Sequence, residues 1–306
     1  MAQPLRIIFM GTPEFAVPSL ETLLTHGYNV VAVITAPDKP SGRGLKVMPS
    51  PVKEVALRYN VPVLQPTNLK SPEFLEELRS YEAALQIVVA FRMLPEVVWN
   101  MPVLGTFNLH ASLLPQFRGA APINWAIMHG EKETGVTTFF IRHEIDTGDM
   151  LLQEKEPIRE EDTAGTLSER LMHRGAKLVL QTVQLIEQNN YPKTPQPQTD
   201  NLLLAPKLFK EMCEIDWNQP TEKVYNFVRG LSPYPAAWTH LNGKFGKIYF
   251  TRQVNDNSPA HPGEYRTDQK TFLYFKTADG WLAVEDLQLE GKKRMTIGEF
   301  LRGNKI

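Results

Sequence analysis

The chain has a single cysteine, Cys213, in 306 residues. An intrachain disulfide framework and a zinc site built on cysteine pairs are therefore excluded. No apolar run approaches the roughly 18 residues that a membrane-spanning helix needs. The opening Met1-Ala2-Gln3-Pro4-Leu5-Arg6 also lacks the basic stretch and apolar core of a signal peptide. A soluble, cytoplasmic protein with no membrane attachment is expected. An excess of one charge is missing as well, since 33 Lys and Arg stand against 34 Asp and Glu. The phosphate-cradling glycine patterns are absent. Gly11 is followed by Thr12 and Pro13 with no second glycine, and no G-x-x-x-x-G-K-[ST] occurs, which argues against NAD or nucleoside triphosphate binding. His26, His129, His143, His173, His240 and His261 are scattered, so no metal site is expected. No protein partner can be inferred.

What is present is ordinary globular composition, 42% apolar and 22% charged. The length suits two domains. Residues 207–306 carry 15 Lys and Arg against 12 Asp and Glu, while residues 1–206 carry 18 against 22. The mild C-terminal basic excess permits a polyanionic partner without demanding one.

The first half alternates strand and helix patterns. Leu5–Met10, Asn29–Thr35 and Leu85–Ala90 are apolar, β-branched runs, with helical patterns from Glu14 and over Glu73–Ser80. Such strands indicate a mostly parallel, Rossmann-like α/β sheet covered on both faces. Gly105–His110 and Val136–Ile141 read as later strands of it. A helix is expected over 167–189, with Thr166 and Glu169 as a capping box. Pro192, Pro195, Pro197 and Pro206 mark residues 190–206 as a linker. The expected division is a domain over 1–189, this linker, and a second domain over 207–306. In that second domain a helix near 221–231 precedes short strands at 237–241, 247–250, 272–275 and 282–284, the pattern of a small β-barrel of oligonucleotide-binding (OB) type.

The most informative stretch is Gly105-Thr-Phe-Asn-Leu-His-Ala-Ser-Leu-Leu-Pro-Gln-Phe-Arg-Gly119. Asn108 and His110 are two apart at a strand end, so both side chains meet one space. Arg142–Asp149 forms a second polar cluster after the strand Val136–Ile141, at the equivalent end of that strand. Asp146 is therefore expected to approach His110 and fix its tautomer and orientation. Singly, Asn108 reads as a turn cap and His110 as a satisfied core histidine. Together, with no nucleophilic Ser or Cys nearby, they suit acyl transfer to an amine: an amide N–H for a developing oxyanion and an imidazole for the amine's proton.

Asn108-x-His110, Ser112-Leu113-Leu114-Pro115-x-x-Arg118-Gly119 and Asp146-Thr147-Gly148 closely resemble the folate-dependent formyltransferases. The likeness extends over essentially the whole chain, from Phe9–Pro18 through Pro37–Pro40 and Gly42–Gly44 to Gly230–Trp238. The resemblance implies transfer of a formyl group from 10-formyltetrahydrofolate to the α-amino group of methionyl initiator tRNA. Asn108, His110 and Asp146 map onto the family's catalytic residues. Folate is implied at Ser112, Leu113, Leu114 and Pro115 and along the backbone of Phe91, Arg92, Met93 and Leu94. Arg92 stands where the family commonly has glycine, so the pterin pocket is expected to differ there. Lys39, Arg43, Lys46 and Lys53 lie on the loop that in this family meets the tRNA end, binding by charge neutralisation. Lys207, Lys210, Lys244, Lys247, Lys292, Lys293 and Arg294 are the candidate cations of the tRNA-binding second domain. The alternatives are formyl transfer to a sugar-nucleotide amine or to glycinamide ribonucleotide, hydrolysis of the formylated folate, and a non-catalytic RNA-binding protein.

Overall fold

The computed structural model describes residues 4–41 and 46–306. Arg43, expected to meet tRNA, lies outside the described residues. The chain forms two compact units. One comprises the residues up to Arg118 together with 135–156 and 169–203; the other comprises 119–134, 157–168 and 204–306.

The first unit is built on a seven-stranded sheet. Its strands are β1 (Arg6–Gly11), β2 (Asn29–Ile34), β3 (Val63–Leu64), β4 (Leu85–Val89), β5 (Thr106–His110), β6 (Glu133–Phe140) and β7 (Met150–Pro157), in the order β7-β6-β5-β4-β1-β2-β3. The pairs β1–β2, β1–β4, β2–β3 and β4–β5 are parallel. Ile7, Ile8, Phe9 and Met10 of β1 are all inaccessible to solvent, as a central strand covered on both faces requires. On one face Ile8 and Met10 pack with Phe74 and Leu78 of the helix α1 (Pro72–Ser80). That helix starts where Ser71 Oγ accepts from the Phe74 N–H, with Pro72 in the first turn.

One strand departs from expectation. β6 runs antiparallel to β5, with Thr137 opposite His110 and Phe140 opposite Phe107. The helix α2 (Ala164–Glu187) also starts earlier than the spacing suggests. The Thr163 N–H donates to Thr166 Oγ1 at 3.0 Å and the Thr166 N–H donates to Thr163 Oγ1 at 3.2 Å. Thr163 therefore takes the capping position expected of Thr166, and a hydroxyl replaces the Glu169 carboxylate in the reciprocal bond.

The second unit has an antiparallel sheet of β8 (Ala237–Leu241), β9 (Lys244–Val254), β10 (Tyr265–Thr267), β11 (Leu273–Lys276), β12 (Trp281–Leu289) and β13 (Met295–Thr296). Register shifts at Ile248/Phe250 and Phe250/Thr251 break the β9–β12 ladder. Such irregularities increase bend and twist, and the sheet curls into a half-barrel. Its core stacks Trp217 on Phe275, ring centres 4.4 Å apart, beside Val224, Val228 and Leu231 of the helix α3 (Thr221–Leu231).

Candidate active site

The C-terminal ends of β1, β4 and β5 lie in register, Gly11 beside Val89 and Val89 beside Leu109. Alternation divides β5. Leu109 faces α2, where a Cβ on Gly175 would lie 2.6 Å from Leu109 Cδ2. Asn108 and His110 therefore point to the other side.

His110 is buried at 5% exposure. Its Nε2 lies 2.9 Å from the carbonyl oxygen of Phe117. A carbonyl can only accept, so Nε2 carries a proton and donates. Nδ1 is then the basic nitrogen of the neutral ring. It lies 3.8 Å from Asp146 Oδ2, beyond a direct hydrogen bond. The tautomer is thus set by Phe117, and Asp146 supplies charge. The Asn108 side chain is half-buried and makes no hydrogen bond among the described residues.

Asp146 reaches His110 by a route the sequence does not reveal. Because β6 is antiparallel, its C-terminal end lies beside Phe107, about 10 Å down the strand from His110. Residues 141–149 fold back over that distance. Asp146 turns with φ of +54°, and Gly148 lies so close to the strand that a Cβ there would sit 1.6 Å from the Phe140 carbonyl oxygen. The doubling back is sealed by the Phe140 N–H donating to the Asp149 carbonyl at 3.1 Å.

The expected folate loops are well braced. Ser112 is inaccessible, and its hydroxyl donates to the Gln116 carbonyl at 2.6 Å. Thr137 Oγ1 donates to the Ser112 carbonyl at 2.7 Å and accepts from the Leu114 N–H at 3.3 Å. Leu114 is buried and the Leu114–Pro115 peptide is cis, while Leu113 and Pro115 are half-buried. On the loop after β4, Phe91 and Leu94 pack against the core and Met93 is 73% exposed. Arg92 donates to the carbonyls of Pro66 and Thr67 and stands 5.7 Å from the Phe91 ring centre. Arg92 thus fastens this loop to the 66–67 segment.

Of the expected tRNA-binding cations, Lys39 and Lys46 fall in a short ribbon, Lys39–Ser41 paired with Lys46–Met48. Lys53 donates to Asp38 at 2.5 Å and to Gln65 at 2.7 Å. Hydrogen bonds from Lys53 and then Gln65 hold the Asp38 carboxyl below the usual carboxylate range. In the second unit, the outward side of β8 and β9 sets Trp238 opposite Lys247 and His240 opposite Phe245. Trp238 lies 5.3 Å from Phe245 and 5.5 Å from His240, and Lys210 Nζ is 4.8 Å from the Phe245 ring centre. Lys207 Nζ is 5.4 Å from that of Phe209. Arg294 is engaged differently, paired with Asp286 at 2.6 Å and 4.2 Å from the Tyr249 ring centre.

Two participants have no sequence signal of their own. Phe117 acts through its backbone. Gln196, in the proline-rich stretch, bonds Arg118 and the Asp146 segment.

The family model described as formyl transferase matches residues 5–183, and that described as formyl transferase, C-terminal domain, matches residues 207–305. The chain is 54% identical over 309 residues to methionyl-tRNA formyltransferase of Bacteroides fragilis, covering 98% of this chain and 95% of that protein. It is 55% identical over 315 residues to the same-named protein of Parabacteroides distasonis, covering 99% and 97%. Among solved structures, HypX from Aquifex aeolicus in complex with tetrahydrofolic acid matches with a TM-score of 0.68 at 21% identity, over 98% of this chain and 48% of that one. The sugar 3N-formyl transferase WlaRD, solved in the presence of dTDP and 5-N-formyl-THF, matches with a TM-score of 0.70 at 20% identity, over 95% and 100%.

Proposed function

This chain belongs to the formyl transferase family, and from that membership we propose that it carries the formyl group of 10-formyltetrahydrofolate onto the α-amino group of methionyl initiator tRNA. The observation that carries this reading is likeness at 51–55% identity over nearly the full chain to methionyl-tRNA formyltransferases. Likeness to the sugar 3N-formyl transferase, by contrast, is 20%. The reaction belongs to translation initiation and places the enzyme in the cytoplasm.

The catalytic assignment rests on geometry. Asn108 aims its unengaged amide at the formyl oxygen and stabilises the charge that develops there. His110, held through Nε2, takes the amine's proton at Nδ1 as the amine bonds to the formyl carbon, and returns it to N10 of the tetrahydrofolate as the bond from that carbon to N10 breaks. Asp146 stabilises the resulting imidazolium across 3.8 Å. A free α-amino group has a reference pKa of about 7.7–8.0 and sheds a proton before or during attack, so a nearby imidazole base is well matched.

The folate lies along Ser112, Leu113, Leu114 and Pro115 and beside Phe91, Arg92, Met93 and Leu94, and it supplies the activated formyl group. Asn108's unengaged amide and the half-buried Phe91, Leu94 and Leu113 suit a flat, polar-edged ring system. The tRNA acceptor end meets Lys39, Arg43 and Lys46, while Lys53 anchors the base of that segment through Asp38. The C-terminal domain beyond the 190–206 segment holds the tRNA body on the face of Trp238, His240, Phe245, Lys210 and Lys247, where rings stack and cations neutralise phosphate.

The test is incubation of the protein with 10-formyltetrahydrofolate and, separately, charged methionyl initiator tRNA, a dTDP-amino sugar and glycinamide ribonucleotide. Formylmethionyl-tRNA as the dominant product is expected. A faster reaction with either small amine, or tRNA binding without product, contradicts the reading.

A further inference from the structure

Between residues 192 and 201 every side chain is exposed except that of Gln196. Its Oε1 accepts from Arg118 Nε at 3.1 Å and Nη2 at 2.6 Å. Its Nε2 donates to the carbonyl oxygens of Asp146 at 2.7 Å and Gly148 at 3.0 Å. A guanidinium only donates and a carbonyl only accepts, so the amide has one orientation. Both its protons and both its lone pairs are used.

The two ends of this clamp are the two supports of the catalytic pair. Arg118 directly follows Phe117, whose carbonyl orients His110. Asp146 carries the carboxylate that faces Nδ1. We propose that Gln196 is a positioning residue for formyl transfer, setting the separation of the His110 imidazole and the Asp146 carboxylate. This rests on the formyl-transfer reading given above.

The effect is local because the strap is secured without Gln196. Met150 and Thr194 exchange backbone hydrogen bonds at 2.8 and 3.0 Å. Gln116 accepts from the Leu203 N–H at 2.8 Å and donates to the Asn201 carbonyl at 3.0 Å. Removing the Gln196 amide therefore leaves 190–203 in place and takes from the 146–148 turn two of the hydrogen bonds that hold it.

The experiment is a double-mutant cycle on the single-turnover rate of formylation of methionyl initiator tRNA. Q196A is expected to lower that rate roughly 10- to 100-fold, the scale of a misplacement near 1 Å, with KM for folate and tRNA changed less than about twofold. Q196E keeps the bonds to Arg118 but sets a carboxylate against two carbonyls; it is expected to be equally impaired, and it decides the matter if Q196A folds poorly. In a D146A background, Q196A is expected to cost less than about twofold more, because its effect runs through Asp146. An undiminished loss in that background, a loss confined to KM, or an unchanged rate overturns the proposal. Hydrogen exchange supplies a readout independent of catalysis. Q196A is expected to speed exchange in residues 142–149, and unchanged exchange there rejects the clamp. A wild-type protein that fails to formylate tRNA removes the functional reading, and the clamp then stands or falls on exchange.

Discussion

His110 donates through Nε2 because the Phe117 carbonyl offers nothing but an acceptor, 2.9 Å away. That one bond decides which nitrogen is basic. It also explains why an imidazole at 5% exposure is available for proton transfer rather than locked on both sides. Asn108 is complementary, a polar side chain with no hydrogen bond among the described residues beside a fully braced loop. Asn108→Ala is expected to lower kcat by roughly 10²–10³, as for other lost oxyanion donors, while the dissociation constant for folate moves less than about threefold; stopped-flow formylation and titration calorimetry check both. At this scale the sequence is legible in the approach of Asp146 to His110, expected from residue type and found at 3.8 Å. It is silent on the Phe117 backbone carbonyl that holds His110 and on the lone Gln196 amide in a proline-rich stretch. Arg92 illustrates the middle case. Resemblance singles it out in the sequence, but its bonds to the Pro66 and Thr67 carbonyls need the fold.

The reversal of β6 is the main correction at the level of elements. An apolar β-branched run such as Val136–Ile141 announces a buried strand but not its direction, which is fixed by the connection and by register. Asp146 meets His110 because residues 141–149 double back, and Gly148 permits it. Gly148→Ala drives a Cβ toward the Phe140 carbonyl and is expected to lower Tm by several degrees and to depress kcat more than Gly148-distant surface changes do. Thermal denaturation and steady-state kinetics read the two effects.

A second element-scale device joins β7 to α2. Glu156 is 4% exposed and accepts from Arg170 Nε and Arg174 Nε, each at 2.7 Å. Burial pushes its carboxyl upward, but the two arginines outweigh it and hold the group below its ordinary value. A carboxyl lowered in the folded state stabilises above its unfolded value, near 4.3, and that stabilisation is lost as pH falls through the folded value. Glu156→Gln is expected to cost roughly 2–3 kcal/mol at pH 7, with the difference from wild type shrinking as pH falls below about 4. Denaturant melts across that range measure it. An undiminished difference under acid conditions would assign the loss to packing.

Each of the two units carries its own part of the proposed function. The first holds Asn108 and His110 on β5. The second presents rings and lysines on the outward side of β8 and β9. Both fold classes were legible, the first from unbroken β-branched runs and the second from short strands between Asn-Gly and Asp-Gly turns. Residues 119–134 and 157–168 group with the second unit, a grouping that leaves no local sequence pattern because it rests on contacts far apart in sequence. Phosphate binding releases counterions, so tRNA affinity is expected to fall steeply with salt. Lys210→Ala with Lys247→Ala is expected to raise KM for tRNA about tenfold, leave kcat within about twofold, and flatten the salt slope by about 1–2. An unaltered slope places the tRNA on another face.

The proposed function turns on the His110 imidazole facing the Asp146 carboxylate, with Asn108 on the same side of β5. The decisive measurement is the single-turnover rate of formylmethionyl-tRNA formation for His110→Ala beside wild type, with folate and tRNA saturating. A rate at least about 10²-fold lower with folate still bound is the expected result, the scale of a lost general base. A His110→Ala protein that formylates at the wild-type rate would contradict it.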